Sequence, residues 1–95
     1  MAGSREEIVS RARADLAKRL GVSEDMIQEE RVEQTDFPDM ALGASVRGEM
    51  SGQMITPGLR IRLKAGGRGY EYRASGDQLR LYNYKGTNYV VNRKS

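Results

Sequence analysis

The residues of this chain that could do chemistry fall into a few small groups. Asp36 and Asp39 flank Phe37-Pro38, with Glu29, Glu30 and Glu33 upstream. Paired carboxylates can exchange protons as acid and base, or hold a hard cation. No Gly-rich calcium loop surrounds them, and the chain has no histidine to assist. The alternative is that Asp39 bonds the backbone of its own turn, as short acidic side chains often do; that reading is preferred, and no metal site is expected. Gly66-Gly67-Arg68-Gly69 has the glycines of a phosphate cradle but not the spacing, and it opens no helix. It reads as a hairpin turn. Serine and threonine occur without a histidine or a Ser-Lys arrangement to activate them. Cysteine and tryptophan are absent as well, which excludes thiol catalysis, disulfide scaffolds and zinc fingers. The expectation is a non-enzyme with no cofactor.

Two binding surfaces remain. One is basic: Arg60, Arg62 and Lys64 alternate along one segment, Arg73 and Arg80 follow on the next two, and Tyr82 and Tyr84 share the spacing of Arg80. Arg68 lies in the intervening turn. Cations that contact phosphates, interleaved with rings that stack bases, are how sheet surfaces hold single-stranded nucleic acid. Glu71 interrupts this face. The other surface is residues 38–52, an irregular stretch with Gly43, Gly48 and Gly52. Connections of that length in small domains tend to be functional or mobile. Phe37, Pro38, Asp39, Leu42, Arg47 and Met50 are its candidate protein-contacting residues, together with an adjacent strand edge that a partner strand could join. The alternative is a crossover packed by Met40, Leu42, Val46 and Met50.

These groups need a scaffold. Ser4 and Glu7 have capping-box spacing, and Ile8, Val9, Ala12, Leu16 and Leu20 form one apolar stripe ending at Gly21. A helix over 5–20 follows. Ser23 can cap a short turn in which Val22, Met26 and Ile27 are apolar anchors. Residues 28–35 read as a charged edge strand, broken at Phe37-Pro38-Asp39. Residues 53–56 read as a short strand ending in a Pro57-Gly58 turn. Leu59 to Ala65 alternates strictly, with Leu59, Ile61, Leu63 and Ala65 on one side. Residues 70–74 and 78–84 alternate too, with Leu79 and Leu81 inward and Arg80, Tyr82 and Tyr84 outward. Tyr89-Val90-Val91 adds a last strand or a sticky tail. The fold class is α+β: one amphipathic helix on one face of a four- to six-stranded antiparallel sheet that ends in a meander.

At 95 residues and 10.6 kDa the chain is one domain, 1–95, with room for one modest core. Its charge is uneven. Residues 1–48 carry seven Lys or Arg against ten Asp or Glu, a net of −3; residues 49–95 carry nine against three, a net of +6. The basic half suits an acidic partner or nucleic acid. The preferred alternative is that the acidic segment Glu24–Asp39 lies beside the basic strands and neutralises them. Without an apolar leader or a stretch long enough to cross a bilayer, no membrane association is expected. The default compartment is the reducing cytoplasm, or outside it if an export signal was trimmed.

From Phe37 onward the sequence resembles a small bacterial domain of uncharacterised function, whose pattern runs Trp-Pro-Asp, Ser-Leu-Gly-Cys, Gln-x-x-Thr-Pro-Gly-Tyr-Arg-Ile and Tyr-Glu-Tyr before a final strand ending in Cys. Here these read Phe37-Pro38-Asp39, Ala41-Leu42-Gly43-Ala44, Gln53-Met54-Ile55-Thr56-Pro57-Gly58-Leu59-Arg60-Ile61 and Tyr70-Glu71-Tyr72. The Leu16–Ile27 region is similar as well. The resemblance implies a helix-plus-sheet fold and brings no activity. If its two cysteines pair in exported relatives, this chain has lost that bridge, with Ala44 at the first position. The expected function is a non-catalytic protein-binding or regulatory module, monomeric or weakly dimeric, with an unidentified protein partner; single-stranded nucleic acid is the alternative partner.

Overall fold

A computed structural model describes residues 5–92. Helix α1 (Arg5–Leu20) is followed by a single 3-10 turn (Glu24–Met26) and five strands: β1 (Gln28–Phe37), β2 (Thr56–Ala65), β3 (Arg68–Ser75), β4 (Gln78–Tyr84) and β5 (Thr87–Asn92). The strands form one antiparallel sheet in the order β1-β2-β3-β4-β5. The expected α+β meander is therefore what the chain forms. Each hairpin is local except β1–β2, whose connection runs from Pro38 to Ile55.

Helix α1 buries Ile8, Val9, Ala12 and Leu16 of the expected stripe together with Ala17, while Leu20, the last of the stripe, is only partly buried. Gly21 adopts the left-handed conformation (φ 70°), and the Val22 amide donates 3.0 Å to the Ala17 carbonyl. That is the six-to-one bond that ends a helix when the residue after it has no Cβ to clash. Ser4, half of the proposed capping box, lies outside the described residues. Ser23 does cap the 3-10 turn, accepting from the Asp25 amide at 3.1 Å. Of the three apolar anchors expected there, only Ile27 is buried; Val22 and Met26 are exposed.

The helix lies on Ile61, Leu63, Ala65, Tyr72, Ala74, Leu79 and Leu81, the inward-pointing residues of β2, β3 and β4. Each large side chain fully buried here contributes about 1.5–3 kcal/mol. A polar clamp fixes the helix on this face. The Tyr72 hydroxyl donates to Asp15 Oδ2 at 2.7 Å, Arg19 Nε donates to the same oxygen at 2.7 Å, and the Arg19 guanidinium sits 4.5 Å from the Tyr89 ring centre. Burial and the Asp15 bond push the Tyr72 hydroxyl well above its ordinary pKa. For Arg19, burial works against the charge, but the Asp15 carboxylate outweighs it and the pKa rises.

The Pro57-Gly58 turn expected before β2 is absent. The strand starts at Thr56 and runs through both residues, with Asp36 opposite Pro57 and Thr35 opposite Gly58. Proline is tolerated near the first residue of a strand, where its missing amide breaks little of the ladder. Glycine is required next to it. A Cβ on Gly58 would overlap the Ala74 carbonyl oxygen and press within 3.1 Å of the Phe37 ring. Residues 53–55, expected as strand, belong to the connection instead.

Candidate functional site

The sheet has a helix face and a back face, and the register decides what meets on the back. Across one row stand Glu33, Arg60, Arg73 and Arg80, on four successive strands. Across the next stand Arg31, Arg62, Glu71 and Tyr82. Three arginines side by side on adjoining strands repel one another, so the arrangement holds only if acids intervene. Glu71 is the hub: its carboxylate lies 3.3 Å from Arg60, 3.3 Å from Arg62 and 2.8 Å from Arg73. From β1, Glu33 reaches Arg60 at 3.4 Å and Arg31 at 3.8 Å, and Glu30 reaches Arg62 at 3.8 Å. The acidic β1 does lie beside the basic β2, and a large part of the positive charge is paired within the fold.

Arg80 has a different environment. It was expected outward on a wet face, but it is only 3% exposed. The cause is the connection 38–55, which folds over the back of β3, β4 and β5. Arg80 Nη1 and Nη2 donate to Glu49 Oε1 and Oε2, both at 2.6 Å, a bidentate pair. Arg80 also donates to the Ala44 carbonyl at 3.2 Å and to Gln78 Oε1 at 2.6 Å. Arg73 Nη1 donates to the Leu42 carbonyl at 3.0 Å, Gln78 Nε2 to the Met40 carbonyl at 3.3 Å, and Asn88 Nδ2 to the Ser45 carbonyl at 2.8 Å. The sheet's own side chains thus satisfy the carbonyls of an irregular segment that would otherwise be costly to dock.

This docking divides the six loop residues that the sequence suggested for protein contact. Phe37 and Leu42 are 1% and 0% exposed, so they anchor the loop and are unavailable to a partner. Ala41 and Ala44 are buried with them. Leu42 holds φ 60°, a left-handed conformation that costs a non-glycine residue on the order of 1 kcal/mol and is sustained by its surroundings. Asp39 bonds its own turn, as preferred: its Oδ1 accepts from the Ala41 amide at 2.9 Å and the Gly43 amide at 3.0 Å. Pro38 and Arg47 are exposed, and Met50 is 96% exposed.

The loop's outer surface carries residues that the sequence reading did not select. Met40, Met54 and Ile55 are exposed at 49%, 64% and 68%. With Met50 they make up four of the six large exposed hydrophobic residues among those described, all in one connection. Gly52 joins the loop's two arms, its carbonyl accepting from the Met40 amide at 3.0 Å, and Met40 Sδ lies over Gly52. Reading residues 53–56 as a strand hid Met54 and Ile55 as surface residues. A run of methionines with no apolar period was the available signal.

The proposed nucleic-acid residues are also divided. Arg62, Lys64 and Arg68 are exposed on the back face or its end, Arg60 and Arg73 are half-buried in the carboxylate network, and Arg80 is sequestered. Tyr82 stays on the back face with the Arg73 guanidinium 3.7 Å from its ring centre. Tyr84 does not. Asn83 takes φ 53° and the β4–β5 register slips between Leu81 and Tyr84. This bulge turns Tyr84 to the helix face, where it meets Tyr70 at 5.9 Å and Tyr89 at 6.0 Å between ring centres.

Among the described residues no group of three or more metal-ligating side chains converges, and no helix is long and apolar enough to cross a membrane. No curated protein and no solved structure matches the chain. Residues 9–82, which span α1 through most of β4, match a family described as a domain of unknown function (DUF8738), and the chain belongs to that family.

Proposed function

We propose that this protein is a non-catalytic binding module that presents the outer surface of the 38–55 loop to an apolar segment of a partner protein. The observation that carries the reading is the concentration of Met40, Met50, Met54 and Ile55 on one docked loop. Methionine is flexible and polarizable, and it recurs on surfaces that mould themselves to apolar partners. Isolated exposed apolar residues are ordinary, whereas a contiguous group of them marks interaction sites. The Arg80–Glu49 pair and the Arg73 bond to Leu42 hold the loop in place, which lowers the ordering cost of binding. Arg47, at the tip of the turn closed by the Glu49 amide on the Val46 carbonyl, adds a cation to the rim.

The test starts with a photo-reactive methionine analogue in place of methionine and cross-linking in the native host. The cross-linked protein is then purified and titrated against the wild type and against Met50→Ser/Met54→Ser, both checked for an unchanged circular dichroism spectrum. Fully burying one methionine is worth about 1.5–3 kcal/mol, so losing two weakens the contact at least tenfold. No cross-linked protein, or equal affinity for both forms, refutes the reading.

A further inference from the structure

The loop covers the back face around Gln78 and Arg80 and along β5 reaches as far as Asn88. At the hairpin end the β2–β3 turn (Gly66-Gly67) and the β4–β5 turn (Lys85-Gly86) lie side by side. Between them runs an open groove of about 390 Å³, lined by Arg62, Arg68, Glu71, Tyr82 and Lys85 among others. The four paired arginines nearby (Arg31, Arg60, Arg62 and Arg73) share three carboxylates: Glu30, Glu33 and Glu71. Lys64, Arg68 and Lys85 stand in no ion pair among the described residues, and the Lys85 ammonium lies 5.4 Å from the Tyr84 ring centre. This end of the sheet therefore keeps an excess of positive charge that the fold does not consume. It also keeps an aromatic platform, because the Arg73 guanidinium on the Tyr82 ring, 3.7 Å from its centre, holds that ring in place.

We infer that this groove binds single-stranded nucleic acid: Arg62, Arg68 and Lys85 contact successive phosphates, and Tyr82 stacks one base. No residue of the methionine-bearing loop lines the groove, although Arg73, which holds Tyr82, also donates to the loop's Leu42 carbonyl. An unstacked base is what favours a single strand over other polyanions, since a ring adds nothing to a purely ionic contact. The shared Glu71 carboxylate gathers Arg60, Arg62 and Arg73 around itself; of these Arg62 lines the groove, and a guanidinium has five N–H donors, more than its two carboxylate contacts use.

The test is fluorescence anisotropy of the full chain with a labelled mixed-sequence 12-nucleotide single strand at 50 and 200 mM salt. Heparin and a 12-base-pair duplex serve as competitors. Three phosphate contacts give a log–log salt slope of about −2 for a single strand, so affinity falls roughly 15-fold over this range. Arg68 is the exposed first residue of β3 and Lys85 an exposed turn residue, and asparagine tolerates the left-handed conformation of Lys85 (φ 52°), so Arg68→Ser/Lys85→Asn should leave the fold intact. It should leave one contact and a slope of about −0.7. Tyr82→Leu should weaken the single strand about fivefold or more, while Tyr82→Phe, which keeps the ring, binds as the wild type does. Absent binding at 50 mM salt overturns the inference, as does a slope unchanged in the double variant. Equal binding by Tyr82→Leu, or displacement by heparin as efficient as by the single strand, reduces the groove to a generic polyanion contact and also overturns it.

Discussion

Replacing Glu49 with glutamine tests whether one buried ion pair holds the loop on the sheet. The wild-type pair is bidentate at 2.6 Å and 2.6 Å, with the Arg80 side chain 4% exposed and that of Glu49 11%. Glutamine keeps the length but puts an NH2 group against an Arg80 donor. The arginine then retains the Ala44 carbonyl and Gln78 Oε1, with no counter-charge. Leaving one member of a buried pair uncompensated costs about 3–5 kcal/mol. Here the loop can lift and let water reach Arg80, which caps the loss at the low end, about 3 kcal/mol. For a domain of this size that lowers Tm by roughly 12–24 °C. Urea unfolding followed by circular dichroism measures it, and hydrogen exchange should show the Ala44 amide, bonded to the Ala41 carbonyl at 2.9 Å, losing protection first. Replacing both members by apolar residues, Arg80→Met/Glu49→Leu, removes the uncompensated charge but leaves the Ala44 carbonyl and the Val46 amide without these partners, so it should recover only part of the loss. A loss below 1 kcal/mol in Glu49→Gln, with Ala44 still protected, would mean that the carbonyl bonds and buried Leu42 hold the loop without the pair.

Gly58→Ala forces a Cβ into the Ala74 carbonyl and the Phe37 ring; the expected loss is about 3 kcal/mol by urea unfolding, and a loss under 1 kcal/mol would show that β2 and β3 separate easily. Asp39→Ala removes the acceptor for two loop amides and should cost about 1–2 kcal/mol, whereas Asp39→Asn should retain most of it, a comparison thermal melts resolve. Tyr72 has a raised pKa in the folded protein from burial and the Asp15 bond, so above about pH 10 the unfolded chain loses a proton that the folded chain keeps. Its contribution is fully present below that pH and declines above it by about 1.4 kcal/mol per pH unit. In Tyr72→Phe, unfolding curves between pH 9 and 11 should show a flatter decline, and parallel declines would place the titrating group elsewhere.

The helix, the three hairpin strands and their inward residues were legible because one rule governed each: a three-to-four stripe for Ile8 to Leu16, and strict alternation for Leu59 to Ala65. Where a second contact overrode the local rule, the sequence misled. Pro57-Gly58 has the composition of a turn, but the approach of the Ala74 carbonyl makes it the entry of a strand. Tyr84 follows Tyr82 at the right spacing, but a left-handed Asn83 moves it to the other face. Arg80 alternates outward as expected and is nevertheless buried, because period-two alternation reports which face a side chain takes and not what covers that face. The covering segment had no period from which its position could be read.

The back face shows how one residue type comes to serve different ends on a single sheet. Arg60, Arg73 and Arg80 are neighbours in one row, and their charge is the same. The difference lies in where the acids come from. Glu33 and Glu71 belong to strands, so they hold Arg60 and Arg73 within the sheet, and Arg73 adds one bond to the loop's Leu42 carbonyl. Glu49 belongs to the loop, so pairing it with Arg80 ties the position of an otherwise irregular segment to the strand beneath. At the hairpin end no carboxylate of either origin pairs with Arg68 or Lys85 among the described residues, and the charge there stays turned to solvent. If the two surfaces are as independent as this division implies, Glu49→Gln should loosen the methionine-bearing loop and leave anisotropy with a single strand unchanged. Arg68→Ser/Lys85→Asn should do the reverse. A variant that disturbs both readouts while the helix signal stays intact would show that the loop and the groove are coupled through the arginine row.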